Sequence, residues 1–166
     1  ALMLMFMALG IDQGDRVICI NHSIPSSVMP PKLLGADLIF SDINKHGQQD
    51  LTGIDKEDVK AIMTTGLYGD CHDHDLIADL GIPVINDSCQ AFLSKYKGKE
   101  ATSIGDASAI SFAQNKTCPV FGTYGAVLTD RDDWADDFSH TRRCGYLSRN
   151  NVNLDHIGIN AQPHAD

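Results

Sequence analysis

The sequence predicts an α/β fold in which a mostly parallel sheet carries helices on both faces. Short apolar runs of strand length recur along the 166 residues, and helical or loop segments separate them. Several runs are apolar at consecutive positions, as expected for strands covered on both sides. Six strands are predicted, at residues 16–20, 37–42, 60–65, 82–87, 107–112 and 125–130.

Helices are predicted between and before these strands. Residues 55–62 and 72–81 are expected to form helical turns, and residues 130–143 run from acidic to basic side chains, which matches the helix dipole. Residues 1–11 predict a buried helix, because the apolar run lacks a basic leader and is too short to span a bilayer. Any helix in the proline-rich segment 22–36 is expected to be short or kinked.

The net charge and the cysteines indicate which partners and which cellular compartment to expect. With 22 acidic residues against 13 lysines and arginines, the net charge is −9, which argues against nucleic acid or an anionic membrane as the main partner. The cysteines are odd in number and form no CxxC pair, so reduced thiols in a cytoplasmic protein are expected. They are Cys19, Cys71, Cys89, Cys118 and Cys144.

Polar side chains follow the predicted strands at their carboxyl ends, where open α/β sheets bind ligands. His22 follows the first strand, Asp87 and Gln90 the fourth, and Lys116 the fifth. A carboxylate at the end of an apolar strand is costly unless a cationic group meets it, so Asp87 predicts a cationic ligand. The alternative is that Asp87 caps a helix over residues 88–94. Taken alone, Lys116 is more often a solvated surface residue.

The segment CHDHD at residues 71–75 offers a different possibility. Cys71, His72 and His74 are ligand types that zinc accepts, but a structural site needs four ligands and no matching cluster occurs elsewhere. The sequence therefore predicts that this segment binds no metal.

Six motifs occur in a fixed order along nearly the whole chain. Together they resemble the PLP-dependent sugar aminotransferases of the DegT/DnrJ/StrS family, which have fold type I. The resemblance implies that residues 1–166 are the PLP-binding large domain, truncated at both ends, with the C-terminal small domain absent. The motifs are LGIDQGDRVI (9–18), LYG (67–69), PVINDSCQA (83–91), YKGKEATSIGDASAISFAQNK (96–116), YGAVLTD (124–130) and GIN (158–160).

The resemblance assigns a role to five residues. It implies that Asp87 faces the pyridine nitrogen of pyridoxal phosphate (PLP) and keeps it protonated, which the cofactor needs as an electron sink. Gln90 would approach the ring hydroxyl and Ser111 the phosphate. Lys116 would form the Schiff base and move the proton between Cα and C4′. Asn160 would reach the cofactor phosphate of the neighbouring subunit, which implies a homodimer.

The implied activity is transfer of an amino group from an amino acid such as glutamate to a nucleotide-linked keto-sugar. Two alternatives stay open. One is a PLP-dependent sugar dehydratase, although such relatives have histidine where Lys116 stands. The other is a non-catalytic regulatory relative, since GTYG (122–125) departs from the family's GDGG. The aromatic residue that often covers PLP is also missing, so His22 or Ile24 would have to take its place.

Overall fold

A computed structural model describes residues 1–122, 124–148, 151–152, 158–159 and 161. The main elements are α1 (Leu2–Ala8), β1 (Arg16–Ile20), α2 (Pro25–Leu33), β2 (Asp37–Ile43), β3 (Gln49–Asp50), β4 (Val59–Thr65), α3 (His74–Ala78), β5 (Val84–Asp87), β6 (Lys95–Tyr96), β7 (Lys99–Glu100), β8 (Ala107–Ser111), β9 (Gly125–Leu128), α4 (Asp132–Thr141), β10 (Tyr146–Ser148) and β11 (Asn151–Val152). Short 3₁₀ turns occupy Leu67–Gly69 and Ala101–Ser103.

Seven strands form the central sheet in the order β3-β2-β1-β4-β5-β8-β9. The five inner strands are parallel, and β3 and β9 are antiparallel edge strands. The chain moves outward in one direction from β1 to β2 and then in the other from β4 to β8, which is the arrangement that opens a crevice at the carboxyl ends. The register sets Asp87 beside Thr65 of β4 and Ala109 of β8. This sheet confirms the predicted mostly parallel α/β fold.

Helices α1 and α4 cover one face of the sheet. Met5 and Phe6 of α1 are fully buried, and Trp134 and Phe138 of α4 are nearly so. They pack in one apolar cluster with inward-facing residues of the inner strands, such as Met63. This face holds the larger of the two main apolar clusters. Because burying each large apolar side chain stabilises the fold by about 1.5–3 kcal/mol, it contributes most of the stability of the core. The apolar start of the chain is thus a buried helix, as predicted.

The opposite face is covered by α3, by the segment that follows it and by the segment between β3 and β4. Ile18 of β1 and Ile62 of β4 pack there with Ile77 of α3. Their neighbours Cys19 and Met63 point to the first face, so the inner strands are buried on both sides. This explains the consecutive apolar residues in the sequence.

All six predicted strands are present, and no end is shifted by more than two residues. The helix predicted at 130–143 is α4, and the one at 72–81 is confined to α3. The prediction of helical turns at 55–62 is wrong, because β4 already begins at Val59. Before it the backbone turns, and the N–H of Glu57 donates to Asp55 Oδ1 at 3.0 Å. Burial on both faces of the sheet outweighs the helix preference of these residues.

Helix α2 has nine residues, with Pro30 and Pro31 inside it, which agrees with the short helix predicted there. Pro25 occupies its first position, where the missing N–H costs nothing. None of the helices within the described residues has the length and apolarity needed to cross a bilayer.

Candidate active site

A cavity of about 1090 Å³ lies against β5, β8 and β9 on the face that α1 and α4 cover. Asp87 at the end of β5, Ser111 at the end of β8 and Lys116 beyond β8 all line it. The parallel strands bring these residues to one place although 29 positions separate the first from the last in the chain. Three of the predicted site residues therefore meet at one cavity.

Asp87 is buried at the wall of this cavity, with 5% of its surface exposed. The Ser27 hydroxyl donates to Oδ2 at 2.7 Å, and the Cys89 backbone N–H donates to Oδ1 at 3.2 Å. Among the described residues, Asp87 takes part in no ion pair. An ionised carboxylate has about four acceptor positions, so two hydrogen bonds leave capacity for a donor in the cavity.

The alternative role of Asp87 as a helix cap is wrong. Residues 88–94 form bends and turns rather than a helix. The bond from the Cys89 N–H is a local turn of the kind that aspartate often makes with the residue two positions on. It holds the side chain without a helix following it.

The pKa of the Cys89 thiol depends on the charged groups around the cavity. Burial and, to a smaller extent, the nearby Asp87 carboxylate together raise the pKa of this thiol to about 12, whereas Lys116 acts in the opposite direction. The thiol is therefore neutral at pH 7. Both Asp87 and Lys116 lie within electrostatic reach of this one side chain, which agrees with their shared cavity.

Ser111 and Lys116 are placed by the chain reversal after β8. The Ser111 Oγ accepts the Ala113 N–H at 3.4 Å, and the Lys116 N–H donates to the Ala113 carbonyl at 2.9 Å. Because Ser111 accepts this bond, its own proton remains available for a ligand oxygen. Opposite Ser111 in the ladder lies Gly125, where a Cβ would stand 2.8 Å from the Ile110 carbonyl oxygen. A side chain at this position would push β9 away from β8.

Gln90 is not among the residues that line the cavity, and the chain after β4 orients its side chain. Its Oε1 accepts the Tyr68 N–H at 2.9 Å, so the amide NH₂ faces away from Tyr68 and can donate elsewhere. Tyr68 has a φ of 58°, a left-handed conformation that costs a bulky residue energy and is held by this contact.

Of the two residues predicted to cover the cofactor ring, His22 and Ile24, only Ile24 lines the cavity. His22 is exposed, and its Nε2 lies 3.3 Å from the Tyr68 hydroxyl. Ile24 lines the cavity together with Asp87 and Lys116. The role predicted for His22 stays a prediction. Asn160 lies outside the described residues, so its predicted role stays a prediction too.

The CHDHD segment lies after β4, and its histidines are buried. The Gln49 N–H donates to His72 Nδ1 at 2.9 Å, and His72 Nε2 lies 2.6 Å from the Thr65 carbonyl oxygen. Burial lowers the pKa of His72, and burial together with the nearby His72 lowers that of His74 to about 4. No group of three or more metal-ligating side chains is assembled in the described parts of the chain.

Two contacts of the site were absent from the sequence analysis. Ser27 reaches Asp87 across 60 positions of sequence, and the Tyr68 N–H reaches Gln90 across 22. A serine near the start of a helix is ordinary, and a backbone N–H leaves no mark on the sequence. No local signal could have found either contact, because both depend on the packing of separate elements.

Known proteins of similar sequence match nearly the whole length of this chain. It is 37% identical over 168 residues to GDP-perosamine synthase from Escherichia coli O157:H7, covering 96% of this chain and 46% of the relative. It is 33% identical over 170 residues to UDP-2-acetamido-2-deoxy-3-oxo-D-glucuronate aminotransferase from Pseudomonas aeruginosa, covering 98% and 47%. The chain thus spans about half the length of the curated relatives it matches.

A solved structure supports the fold. The structure of NtdA from Bacillus subtilis with bound cofactor PMP superposes with a TM-score of 0.84 at 27% identity, covering 96% of this chain and 38% of that one. The seven-stranded sheet is accordingly that of aminotransferase fold type I. The sequence profile of the DegT/DnrJ/EryC1/StrS aminotransferase family matches residues 1–162, and the chain belongs to that family.

Proposed function

We propose that this chain is the cofactor-binding part of a PLP-dependent aminotransferase. The enzyme would transfer an amino group from an amino acid such as glutamate to a nucleotide-linked keto-sugar. Family membership and the names of the two curated relatives support this class of substrate. The observation that carries the proposal is that Asp87, a buried carboxylate with unused acceptor capacity, shares a cavity with Lys116.

The residues of the cavity fit PLP. A protonated pyridine nitrogen needs an anionic acceptor in a water-poor place, and Asp87 offers one without a competing ion pair among the described residues. Ser111 has a hydroxyl proton for a phosphate oxygen. Gln90 lies outside the cavity lining, three positions after Asp87, and its amide NH₂ would be the group directed to the ring hydroxyl. Lys116 supplies the amine for covalent attachment.

The chemistry divides between the cofactor and the chain. PLP, when bound, acts as an electron sink that stabilises negative charge at the substrate Cα. Asp87 keeps a negative charge beside the ring nitrogen and so holds a proton there. Lys116 would hold PLP covalently through its Nζ, and the Nζ, when released, would act as the base and acid that moves a proton from the substrate Cα. Two hydrogen bonds fix the Asp87 carboxylate, and its burial limits competition from water.

The presence of Lys116 favours transamination over sugar dehydration, since dehydratase relatives have histidine at this place. A non-catalytic regulatory protein would need neither the lysine nor, in the same cavity, a buried carboxylate that forms no ion pair with a described residue. The proposed enzyme therefore accounts for more of the cavity than either alternative does.

We further propose that residues 1–166 form part of the large domain of a cytoplasmic homodimer, with amino-acid and keto-sugar substrates and with neither nucleic acid nor membrane as a partner. The five cysteines are all free, as a reducing compartment would keep them. The net charge of −9 supports the absence of a nucleic-acid partner. Sedimentation of the full-length protein would test the dimer, and a fully active monomer would contradict it.

The proposed activity is best tested through its first half-reaction, in which an amino acid converts bound PLP to PMP. Full-length protein that contains this chain is loaded with PLP and mixed with glutamate or other amino acids in the absence of a sugar. The absorbance of bound PLP should convert to that of PMP, and a nucleotide-linked keto-sugar should reverse the change. Lys116→Ala is the control and should show no conversion. Wild-type protein that binds no PLP, or binds it without conversion by any amino acid, would contradict the proposal.

A further inference from the structure

Two serines between β1 and the first turn of α2 form a chain of hydrogen bonds that ends on Asp87. The Ser23 hydroxyl lies 3.0 Å from the Ser27 hydroxyl, and the Ser27 hydroxyl lies 2.7 Å from Asp87 Oδ2. Ser27 is 1% exposed and Asp87 5% exposed, so water does not compete for the second bond. The contact joins α2 to the end of β5, two elements that the sequence separates by 60 residues.

The direction of this chain is fixed by the acceptor at its end. An ionised carboxylate can only accept, so the one proton of the Ser27 hydroxyl must point to Asp87. The Ser27 oxygen then accepts from Ser23. A hydroxyl-to-carboxylate bond of 2.7 Å is in the short range typical of charge-assisted hydrogen bonds, which are stronger than neutral ones.

The two donors to Asp87 bind different oxygen atoms. Ser27 occupies Oδ2, and the Cys89 N–H occupies Oδ1. The rotation of an aspartate carboxylate about its last torsion is otherwise broad, since the bond joins a tetrahedral carbon to a planar group. Donors on both oxygens set the plane of the carboxylate and therefore the direction in which its remaining lone pairs point.

Ser27 is itself held in place by α2. Pro25 fixes the backbone at the first helical position, and the Ser27 N–H donates to the Ile24 carbonyl at 3.0 Å. Helix α2 packs against α1, which is buried in the core. The hydroxyl is thus presented to Asp87 from a rigid element rather than from a loose loop.

We propose that Ser27 is a positioning residue that orients the Asp87 carboxylate for a cationic ring nitrogen, with Ser23 holding the Ser27 hydroxyl in the donating direction. The proposal rests on the proposed function, because the ring nitrogen belongs to PLP. Ser27 does not touch the cofactor in this account, and its whole effect on PLP affinity passes through Asp87.

The test measures PLP affinity and thermal stability of the full-length protein by titration and melting. Ser27→Ala should weaken PLP binding about tenfold, which corresponds to about 1.4 kcal/mol, and Ser23→Ala about twofold. The matched control is Ser108→Ala. Ser108 is equally buried on β8, and its hydroxyl donates to the Ile104 carbonyl instead of a carboxylate. This variant should lower the melting temperature of the apoprotein while leaving PLP affinity unchanged.

A double-mutant cycle separates positioning from general destabilisation. In an Asp87→Ala background, Ser27→Ala should no longer change PLP affinity, because the carboxylate through which it acts is gone. An equal loss with and without Asp87 would overturn the proposal, as would wild-type affinity in Ser27→Ala. Failure of the wild-type protein to bind PLP would instead refute the proposed function.

Discussion

Two buried polar clusters follow neighbouring strands of the sheet, and they use their hydrogen-bonding capacity differently. His72 comes after β4 and bridges two backbone groups, the Gln49 N–H and the Thr65 carbonyl. Asp87 lies at the end of β5, and its carboxylate accepts two hydrogen bonds. It forms no ion pair with a described residue, so it can accept further hydrogen bonds. Both ring nitrogens of His72 have partners within the chain, whereas Asp87 keeps acceptor capacity that the proposed ligand would use.

The shifted pKa values of the buried groups show that both clusters contain side chains that are neutral at pH 7. Burial lowers the pKa of His72 and takes that of His74 to about 4, so both rings are neutral at pH 7 and add no charge to the interior. In the cavity, burial raises the pKa of the Cys89 thiol to about 12 and keeps it neutral as well. Burial alone therefore does not mark a functional residue, and unused capacity beside a cavity is the better sign.

The largest effect is expected for Asp87→Asn in the full-length enzyme. The fold should persist, because asparagine keeps the shape, but removal of the charge beside the ring nitrogen should slow transamination by about 100-fold, or about 2.7 kcal/mol. Steady-state kinetics on PLP-loaded protein measure this. Asp37→Asn is a matched control, since Asp37 is exposed at the amino end of β2. Activity of Asp87→Asn within a few-fold of wild type would remove Asp87 from its role.

The reverse pattern is expected for His72→Ala. Loss of two buried hydrogen bonds and of ring packing should lower the free energy of unfolding by about 2–3 kcal/mol. PLP affinity should stay within twofold of wild type. Denaturant unfolding and PLP titration give the two values, with the exposed His46→Ala as control. A variant that kept its stability but lost PLP would reverse the comparison between the two clusters.

A smaller effect is expected in the pH dependence of stability. The pKa of His74 is about 4 in the folded state and 6.5 in the unfolded state, so the unfolded chain binds more protons between these values. Stability should therefore fall as the pH drops from 6.5 towards 4, with His74 contributing roughly 3 kcal/mol. His74→Gln should flatten this part of the curve, and His46→Gln should not. Equal slopes for wild type and His74→Gln would show that His74 is not buried as a neutral ring.

The sequence was sufficient for the sheet because its strands are buried on both faces. Consecutive apolar residues such as Ile18 and Cys19 identify such strands directly. The two-residue strands β3, β6, β7 and β11 are too short to show any periodicity, and they were not predicted. At residues 55–62 the charged composition favoured helix, but pairing of Val59 onward with β1 decided the structure.

The residues that line the cavity were predictable only where a motif marks them. Asp87, Ser111 and Lys116 follow strand ends within motifs, and the structure brings them to one cavity. Ser27 acts across 60 positions, so only the packing of α2 reveals it. His22 and Ile24 were both offered as the residue over the cofactor ring, and Ile24 is the one of the two that lines the cavity. Sequence order indicates which loop reaches a site but not which side chain of the loop points inward.

Covalent trapping of the cofactor shows whether Asp87 and Lys116 form one PLP site. Borohydride reduction of PLP-loaded full-length protein, followed by mass spectrometry of its peptides, should place the cofactor on Lys116. Lys116→Ala should abolish both the label and turnover, whereas Lys99→Ala, which removes an exposed lysine from β7, should change neither. A cofactor found on any other lysine, or label retained in Lys116→Ala, would contradict the account.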